Sequence, residues 1–189
     1  MRKLILIAHV SLDGFVAGPN GELSGFEPGE ENLKFVAGLT KGADAALSGR
    51  TTYELLNANW PTKWKEPNAT EGEIAYSKWF SKAHQFVVST TLSDNHEPGR
   101  TIIRRNVAEE IAEIKKKRGE NILIFGSPGL SRFLIPLGLI DSYWIFVNPV
   151  IFGLGLPLFP KVLDHIKFTP RSATSFPNGE LALNYDPNQ

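Results

Sequence analysis

Short apolar segments bounded by turn residues recur along the chain. Residues 4–10 (LILIAHV) are a run of mostly branched apolar side chains, and residues 122–125 (ILIF) are another. Runs of this length and composition are typical of buried β-strands. The pattern predicts strands at residues 4–10, 43–48, 86–89, 101–104, 122–125 and 141–147.

Segments with helical spacing of apolar residues lie between these runs. Leu33, Val36 and Ala37 follow two acidic residues that favour a helix N-terminus, which predicts a helix over residues 30–39. Similar patterns predict helices from about residue 51, at 71–83, at 107–118 and from 129 to 137. The last turn of the helix at 107–118 is cationic (KKKR), and we interpret it as a solvated cap at the negative end of the helix dipole.

The end of the chain carries a different pattern. Residues 166–175 and 180–185 flank Pro177-Asn178-Gly179, which predicts a terminal hairpin. Strands that alternate with helices predict an α/β fold whose sheet is parallel in its first part, with antiparallel strands added at the end. In such sheets ligands bind beyond the carboxyl ends of the strands.

The composition is that of a globular protein. The chain has 189 residues, 42% hydrophobic and 21% charged, which predicts one domain over residues 1–189. Lys and Arg balance Asp and Glu to a net charge of zero, so no nucleic-acid partner is expected. The absence of cysteine excludes disulfides, thiolate zinc sites and a cysteine nucleophile. The histidines lack metal-ligand spacing, so we predict no metal site; they are His9, His84, His96 and His165.

No segment is typical of a membrane span or an export signal. The longest apolar stretch, residues 143–159, is interrupted by Pro149, Gly153 and Pro157. The apolar run at residues 4–8 is too short for a secretion signal, and no small-residue cleavage site follows it. We therefore expect no membrane association and a cytoplasmic location.

Two strand ends lead into helices through glycine turns. Residues 126–130 (GSPGL) offer free backbone N–H groups that suit a pyrophosphate, although a plain tight turn fits equally well. Gly49-Arg50-Thr51-Thr52 places a guanidinium and two hydroxyls at a helix start, where they suit a phosphate. Thr51 as a helix cap that supports Glu54, as in a capping box, is the alternative.

Two further strand ends carry polar side chains. Ser89 and Thr90 stand at the end of one strand, where an ordinary turn also favours hydroxyls. Asp13-Gly14 follows the first strand and is first of all a turn signal. If that loop covers a cavity, Asp13 is the carboxylate nearest to a substrate and the candidate proton donor.

Several segments in this order resemble the dihydrofolate-reductase-like superfamily, and within it the reductase domain of the deaminase–reductase of riboflavin biosynthesis. The resemblance implies a three-layer α/β/α fold with a mostly parallel mixed sheet of about eight strands and an antiparallel C-terminal hairpin. It also implies a homodimer that binds NADPH across the strand ends. The segments are SLDGFVAG from Ser11, LSGRTTYE from Leu47, VVSTT from Val87, IFGSPGL from Ile124 and GLIDSYWIFVNPVIFGLGLPLF from Gly138.

The resemblance also implies where each part of NADPH is held. Asp13 is placed close to the substrate side as the catalytic candidate. Arg104, or the adjacent Arg105, is placed to assist the extra phosphate of the adenosine. The remaining cofactor-binding candidates are Val16 and Ala17 beside the nicotinamide; Gly49, Arg50, Thr51, Thr52, Ser89 and Thr90 on the adenosine side; and Gly126, Ser127, Gly129 and Leu130 at the pyrophosphate.

One departure from the folate reductases bears on function. Those enzymes carry a carboxylate inside the first helix, and counting back from Gly49 brings Leu33, flanked by Asn32, to that place. Glu30 or Glu31 reaches it only with a shift of register. Folate reduction is therefore disfavoured, although it stays an alternative.

The function we predict is that of a stand-alone NADPH-dependent reductase of the riboflavin-biosynthesis type, a cytoplasmic homodimer. It resembles 5-amino-6-(5-phosphoribosylamino)uracil reductase and would transfer hydride to a small carbonyl, imine or heterocyclic substrate. The other alternative is a non-catalytic dinucleotide-binding dimer that acts as a sensor or scaffold. The missing helix carboxylate favours that alternative, as does a loop with Trp60 and Trp64 that could cover a ligand or pack on its own domain.

Overall fold

The apolar runs of the chain become the strands of one mixed sheet. The computed structural model describes residues 1–26, 29–93, 97–161 and 165–188, so His96 lies outside the described residues. The strands are β1 (Leu4–Val10), β2 (Phe15–Ala17), β3 (Ala43–Gly49), β4 (His84–Val88), β5 (Arg100–Ile103), β6 (Asn121–Phe125), β7 (Ser142–Val147), β8 (Leu156–Pro157), β9 (Phe168–Ser175) and β10 (Leu181–Pro187).

The sheet has eight strands in the order β5-β4-β3-β6-β1-β7-β10-β9. Every pair from β5 to β7 is parallel, whereas β10 runs antiparallel to both β7 and β9. The short strands β2 and β8 form a separate antiparallel ribbon. This confirms the predicted α/β fold, with a parallel first part and an antiparallel C-terminal hairpin.

Helices cover both faces of the sheet and complete the three layers. They are α1 (Glu30–Leu39), α2 (Arg50–Asn59), α3 (Glu71–Phe80), α4 (Val107–Lys116) and α5 (Pro128–Leu134). Alternate residues of β1 enter different cores, as the period of a strand requires. Leu4 and Leu6 pack with residues of α4 and α5, whereas Ile7 packs with residues of α1 and α3.

The local pattern predicted the limits of the longer strands and helices to within three residues, but it missed short elements. The ribbon β2–β8 was not predicted, because strands of three and two residues carry no periodic signal. The helix expected to reach residue 137 ends at Leu134. Residues 63–65, expected to be loop, form a single 3₁₀ turn.

The cationic last turn of α4 is not wholly solvated, so that interpretation was wrong for one of its residues. Lys115 is buried, and its Nζ lies 2.7 Å from Asp141 Oδ2 and donates to the Leu139 carbonyl at 2.9 Å. Lys116 behaves as expected, with an exposed pair to Glu113. A buried ammonium needs such partners, and they come from the segment before β7.

Candidate functional site

A cavity of about 690 Å³ opens beside the carboxyl ends of β3, β6 and β1. The sheet order puts β6 between β3 and β1, and the register pairs Ile7 with Phe125, so these strand ends share one edge. Most of the predicted cofactor-binding residues line the cavity: Val16, Ala17, Gly49, Arg50, Thr51, Thr52, Gly126, Ser127, Gly129 and Leu130.

The two glycine turns are joined to each other. The Gly49 backbone N–H donates to Ser127 Oγ at 2.9 Å, although the residues are far apart in the sequence. Gly126 and Ser127 both have left-handed backbone conformations (φ 57° and 45°), which reverse the chain between β6 and α5. The Ser131 hydroxyl donates to the Gly126 carbonyl at 2.7 Å and braces this reversal. The turns therefore form one preorganised wall of the cavity.

Two guanidinium groups line the same cavity. Arg50 starts α2 and makes an exposed ion pair with Glu54, with an N–O distance of 3.2 Å. Arg132, on α5, makes no hydrogen bond or ion pair with any of the described residues. A cation beside a cavity that has no partner among the described residues suits an anionic ligand, because ionic groups are most stable when paired.

The capping-box alternative for Thr51 is wrong. Helix α2 begins at Arg50, its N-cap is Gly49, and no side chain caps it. Its first-turn N–H groups therefore keep their capacity to bind an anion beside the hydroxyls of Thr51 and Thr52. A true capping box occurs instead at α3, between Thr70 and Glu73.

Ser89, Thr90 and Arg104 do not line the cavity. Ser89 Oγ accepts hydrogen bonds from the backbone N–H groups of Thr91 and Leu92, at 3.2 and 2.9 Å. The Arg104 guanidinium donates to the carbonyls of Thr90 and Leu92, at 3.2 and 2.8 Å. These contacts stabilise the turn after β4, which is the ordinary function of hydroxyls at a strand end.

Asp13 also lies outside the lining of the cavity. Its carboxylate accepts hydrogen bonds from Ser11 Oγ at 2.6 Å and from the backbone N–H groups of Phe152 and Gly153, at 3.1 and 2.8 Å. These donors, Ser11 foremost, hold the pKa of Asp13 below its usual value of 3.8. The Asp13 carboxylate, with both oxygens hydrogen-bonded, braces the loop before β2 against the segment before β8.

The loop that carries Trp60 and Trp64 packs on helix α3. The Trp60 ring contacts Tyr76 of α3 edge-on, with centroids 4.5 Å apart, and the backbone N–H of Trp64 donates to Ser77 Oγ at 3.0 Å. Neither tryptophan lines the cavity. Of the two interpretations of this loop, packing within the domain fits the contacts.

Sequence reasoning missed the rest of the lining. Apolar side chains from the segment after β2 and from α1 and α2 form much of the wall, among them Leu23, Phe26, Val36, Leu55 and Leu56. His9 of β1 lines the cavity as well, with Glu180 and Asn32 behind it. Helical periodicity alone could have indicated Val36, but no local pattern links Glu180 to His9.

The buried residue in the first turn of α1 is not Leu33, the residue expected there by counting back from Gly49. Asn32, not Leu33, is the fully buried residue of the first turn of α1. Its side-chain amide donates to the carboxylate of Glu180, which enters from the turn before β10. Helix α1 therefore contributes an amide at this place, and the C-terminal hairpin supplies the carboxylate beside it.

Comparison with known proteins gives one consistent result. The family model of the RibD C-terminal domain matches residues 2–181. The uncharacterized protein YyaP of Bacillus subtilis is 31% identical over 186 residues, which cover 97% of this chain and 94% of the relative.

Two solved structures share the fold. A putative riboflavin biosynthesis protein from Shewanella sp. PV-4 superposes with a TM-score of 0.73 at 21% identity, covering all of both chains. Dihydrofolate reductase from Enterococcus faecalis, complexed with NADP(H), superposes with a TM-score of 0.61 at 18% identity, covering 99% of this chain and 97% of that one. The dihydrofolate-reductase-like fold expected from the sequence is thereby confirmed.

Proposed function

Since the chain belongs to the RibD C-terminal domain family, we propose that it is an NADPH-dependent reductase that transfers hydride to a small carbonyl, imine or heterocyclic substrate. The observation that carries the proposal is the cavity at the ends of parallel strands, walled by two joined glycine turns and flanked by Arg50 and Arg132. Such strand ends are where α/β sheets bind nucleotides.

The glycine wall fits a pyrophosphate. A Cβ built on Gly129 would meet no atom within 4 Å, so the absence of a side chain leaves open space on the cavity side. The uncapped first turn of α2 offers N–H donors, and the two guanidinium groups offer the matching positive charge. The N–H donors and Arg132 would hold the pyrophosphate, and Arg50, at the start of α2, would hold the additional phosphate on the adenosine side.

The ribbon β2–β8 forms another part of the wall. Val16 and Ala17 are buried and line the cavity together with Leu156 of β8. These apolar side chains suit one face of a nicotinamide ring and exclude water from it. The bound cofactor would supply the hydride, and the protein would supply binding, orientation and proton control.

The remaining lining indicates what kind of substrate fits. Among the described lining residues the only Lys or Arg side chains are Arg50 and Arg132, beside the glycine turns. The opposite part is apolar, with Leu23, Phe26 and Val36. Since no Lys or Arg of the described residues lines that part, we propose an unphosphorylated carbonyl, imine or ring compound as the substrate.

Binding and turnover are measured separately. Purified protein is titrated with NADPH and with NADH while its melting temperature is followed, and stabilisation should rise with ligand concentration as mass action requires. NADPH oxidation is then followed with a panel of small aldehydes, ketones, cyclic imines and pteridines. Binding with turnover supports the reductase. Binding without turnover on the whole panel supports the sensor, and no binding refutes both.

Assembly and location remain proposals of the same kind. We propose a homodimer, and light scattering of the purified protein measures its mass directly. Ile151 and Leu154, in the segment between β7 and β8, are 69% and 74% exposed and are suitable apolar contacts for such an interface.

No helix in the described ranges is both long enough and apolar enough to cross a bilayer. Cytoplasmic location stays a prediction.

A further inference from the structure

A fully buried carboxylate lies behind the apolar part of the cavity. Glu180, in the turn before β10, is 0% exposed, and its Oε1 lies 2.7 Å from Nδ1 of His9. Its other oxygen accepts a hydrogen bond from the side-chain amide of Asn32. An ionised carboxylate is stable at such depth only when its oxygens are paired, and these two side chains pair both of them.

The contacts of His9 fix one side of the imidazole. The ring stacks on Phe146, with centroids 4.8 Å apart and an interplanar angle of 20°. Since a carboxylate can only accept, Nδ1 is the donor to Glu180. Nε2 makes no hydrogen bond to any described residue, and His9 lines the cavity with 30% of its side chain exposed. The ring is therefore oriented at one nitrogen and available at the other.

The fold does not need the contact between Glu180 and His9 to fix the turn before β10. The turn before β10 is already fixed by the pairing of β10 with β7 and β9, and by the hydrogen bond from the Phe176 N–H to the Glu180 carbonyl, at 2.9 Å. A carboxylate that accepts from Nδ1 fixes the tautomer and the orientation of an imidazole. Asp13, the carboxylate singled out from the sequence, has no such access to the cavity.

We propose that His9 donates the proton in the reduction proposed above, and that Glu180 and Asn32 are its positioning residues. The inference rests on the proposed function. Hydride addition to the carbon of a C=O or C=N bond leaves the electron pair of that bond on oxygen or nitrogen. The Nε2 proton of His9 passes to that atom, which completes a two-electron reduction, and a proton from water restores the imidazolium.

The first test uses the protein without cofactor or substrate. Long-range ¹H–¹⁵N spectra report which imidazole nitrogen carries hydrogen, and His9 should show a protonated Nδ1 bonded to a carboxylate. Glu180→Gln should abolish this signature, while His84, whose Nε2 contacts Thr101 Oγ1 instead, serves as the internal control. The proposal needs hydrogen at Nδ1, toward Glu180, and at Nε2, toward the cavity, so a wild-type His9 that carries hydrogen at only one of the two nitrogens would overturn it.

The second test compares His9→Gln with the matched control His84→Gln. Loss of a general acid should lower kcat by about 10²–10⁴-fold, with KM and NADPH-induced stabilisation close to those of the wild type. The control should keep wild-type kcat. Glu180→Gln should lower kcat less than His9→Gln does, because the donor remains but its orientation is lost.

Two outcomes separate the inference from the function it rests on. If the wild type oxidises NADPH and His9→Gln keeps a kcat within about tenfold of it, the proton-donor role is wrong and the reductase stands. If the wild type reduces nothing on the panel, the reductase and the role of His9 fall together. Should His9→Gln leave too little folded protein, the double variant with Glu180→Gln removes the unpaired buried charge and should show the same loss of kcat.

Discussion

Replacing Gly129 by alanine should affect stability and cofactor binding in opposite directions. Gly129 lies in the first turn of α5 and lines the cavity, and an added Cβ would meet nothing within 4 Å. Alanine is up to about 1 kcal/mol more favourable than glycine in a helix, less in its first turn. The free protein should therefore melt at an unchanged or higher temperature, by at most about 2–4 °C for a chain of this size.

The same methyl group would occupy space that the proposed pyrophosphate needs. At a concentration of about 100 times its dissociation constant, NADPH should stabilise the wild type by about 2.7 kcal/mol. Loss of charge-assisted hydrogen bonds worth about 2 kcal/mol would weaken binding about thirtyfold. At the same NADPH concentration the stabilisation of Gly129→Ala would then fall to about 0.9 kcal/mol.

The assay is a melting curve for each protein with and without NADPH, and Gly38→Ala is the matched control. Gly38 also lies in a helix with open space at its Cβ position, but it does not line the cavity. The control should gain stability without losing the response to NADPH. A Gly129→Ala protein whose NADPH response equals that of the wild type would refute the placement of the pyrophosphate against this turn.

Three further substitutions test other parts of the structure. Arg50→Ala should weaken NADPH about five- to tenfold more than NADH in titrations of each, and equal losses would assign Arg50 to phosphates that both share. Asp13 has a folded pKa below 3.8, so its stabilisation is present above that pH and is lost as the pH falls through the folded value. Melting curves below pH 3.8 should therefore show a steeper loss for the wild type than for Asp13→Asn, and parallel losses would contradict the bracing role. Lys115→Met should cost about 1–3 kcal/mol in denaturant unfolding, since Asp141 is left without its buried partner yet keeps some solvent. Lys116→Met should stay within about 0.5 kcal/mol, and similar losses for both would refute the distinction between a buried and an exposed pair.

Local sequence patterns determined most of the secondary structure and several pieces of the site. Apolar runs such as β1, and helical spacing such as that of α1, are properties of neighbouring residues, so they are visible in the sequence. The glycine turns after β3 and β6 were visible for the same reason, because a turn is a local event. The resemblance carried by these segments gave the fold and the family.

The tertiary structure alone decided which of these pieces form one site. The strand order places β6 between β3 and β1, which brings Gly49 to Ser127 and leaves Ser89 outside the cavity. The turn before β10 delivers Glu180 to His9 across 171 positions of sequence. Asn32, 148 positions away, completes the pairing of the carboxylate.

The burial of Lys115 against Asp141 has the same origin. Each of these outcomes depends on the pairing of strands that are remote in sequence, and on the need of a buried charge for a partner. Neither of these two causes leaves a periodic signal along the chain. The sequence therefore determined the elements and their turns, whereas long-range packing decided which polar groups face the cavity and which only support the fold.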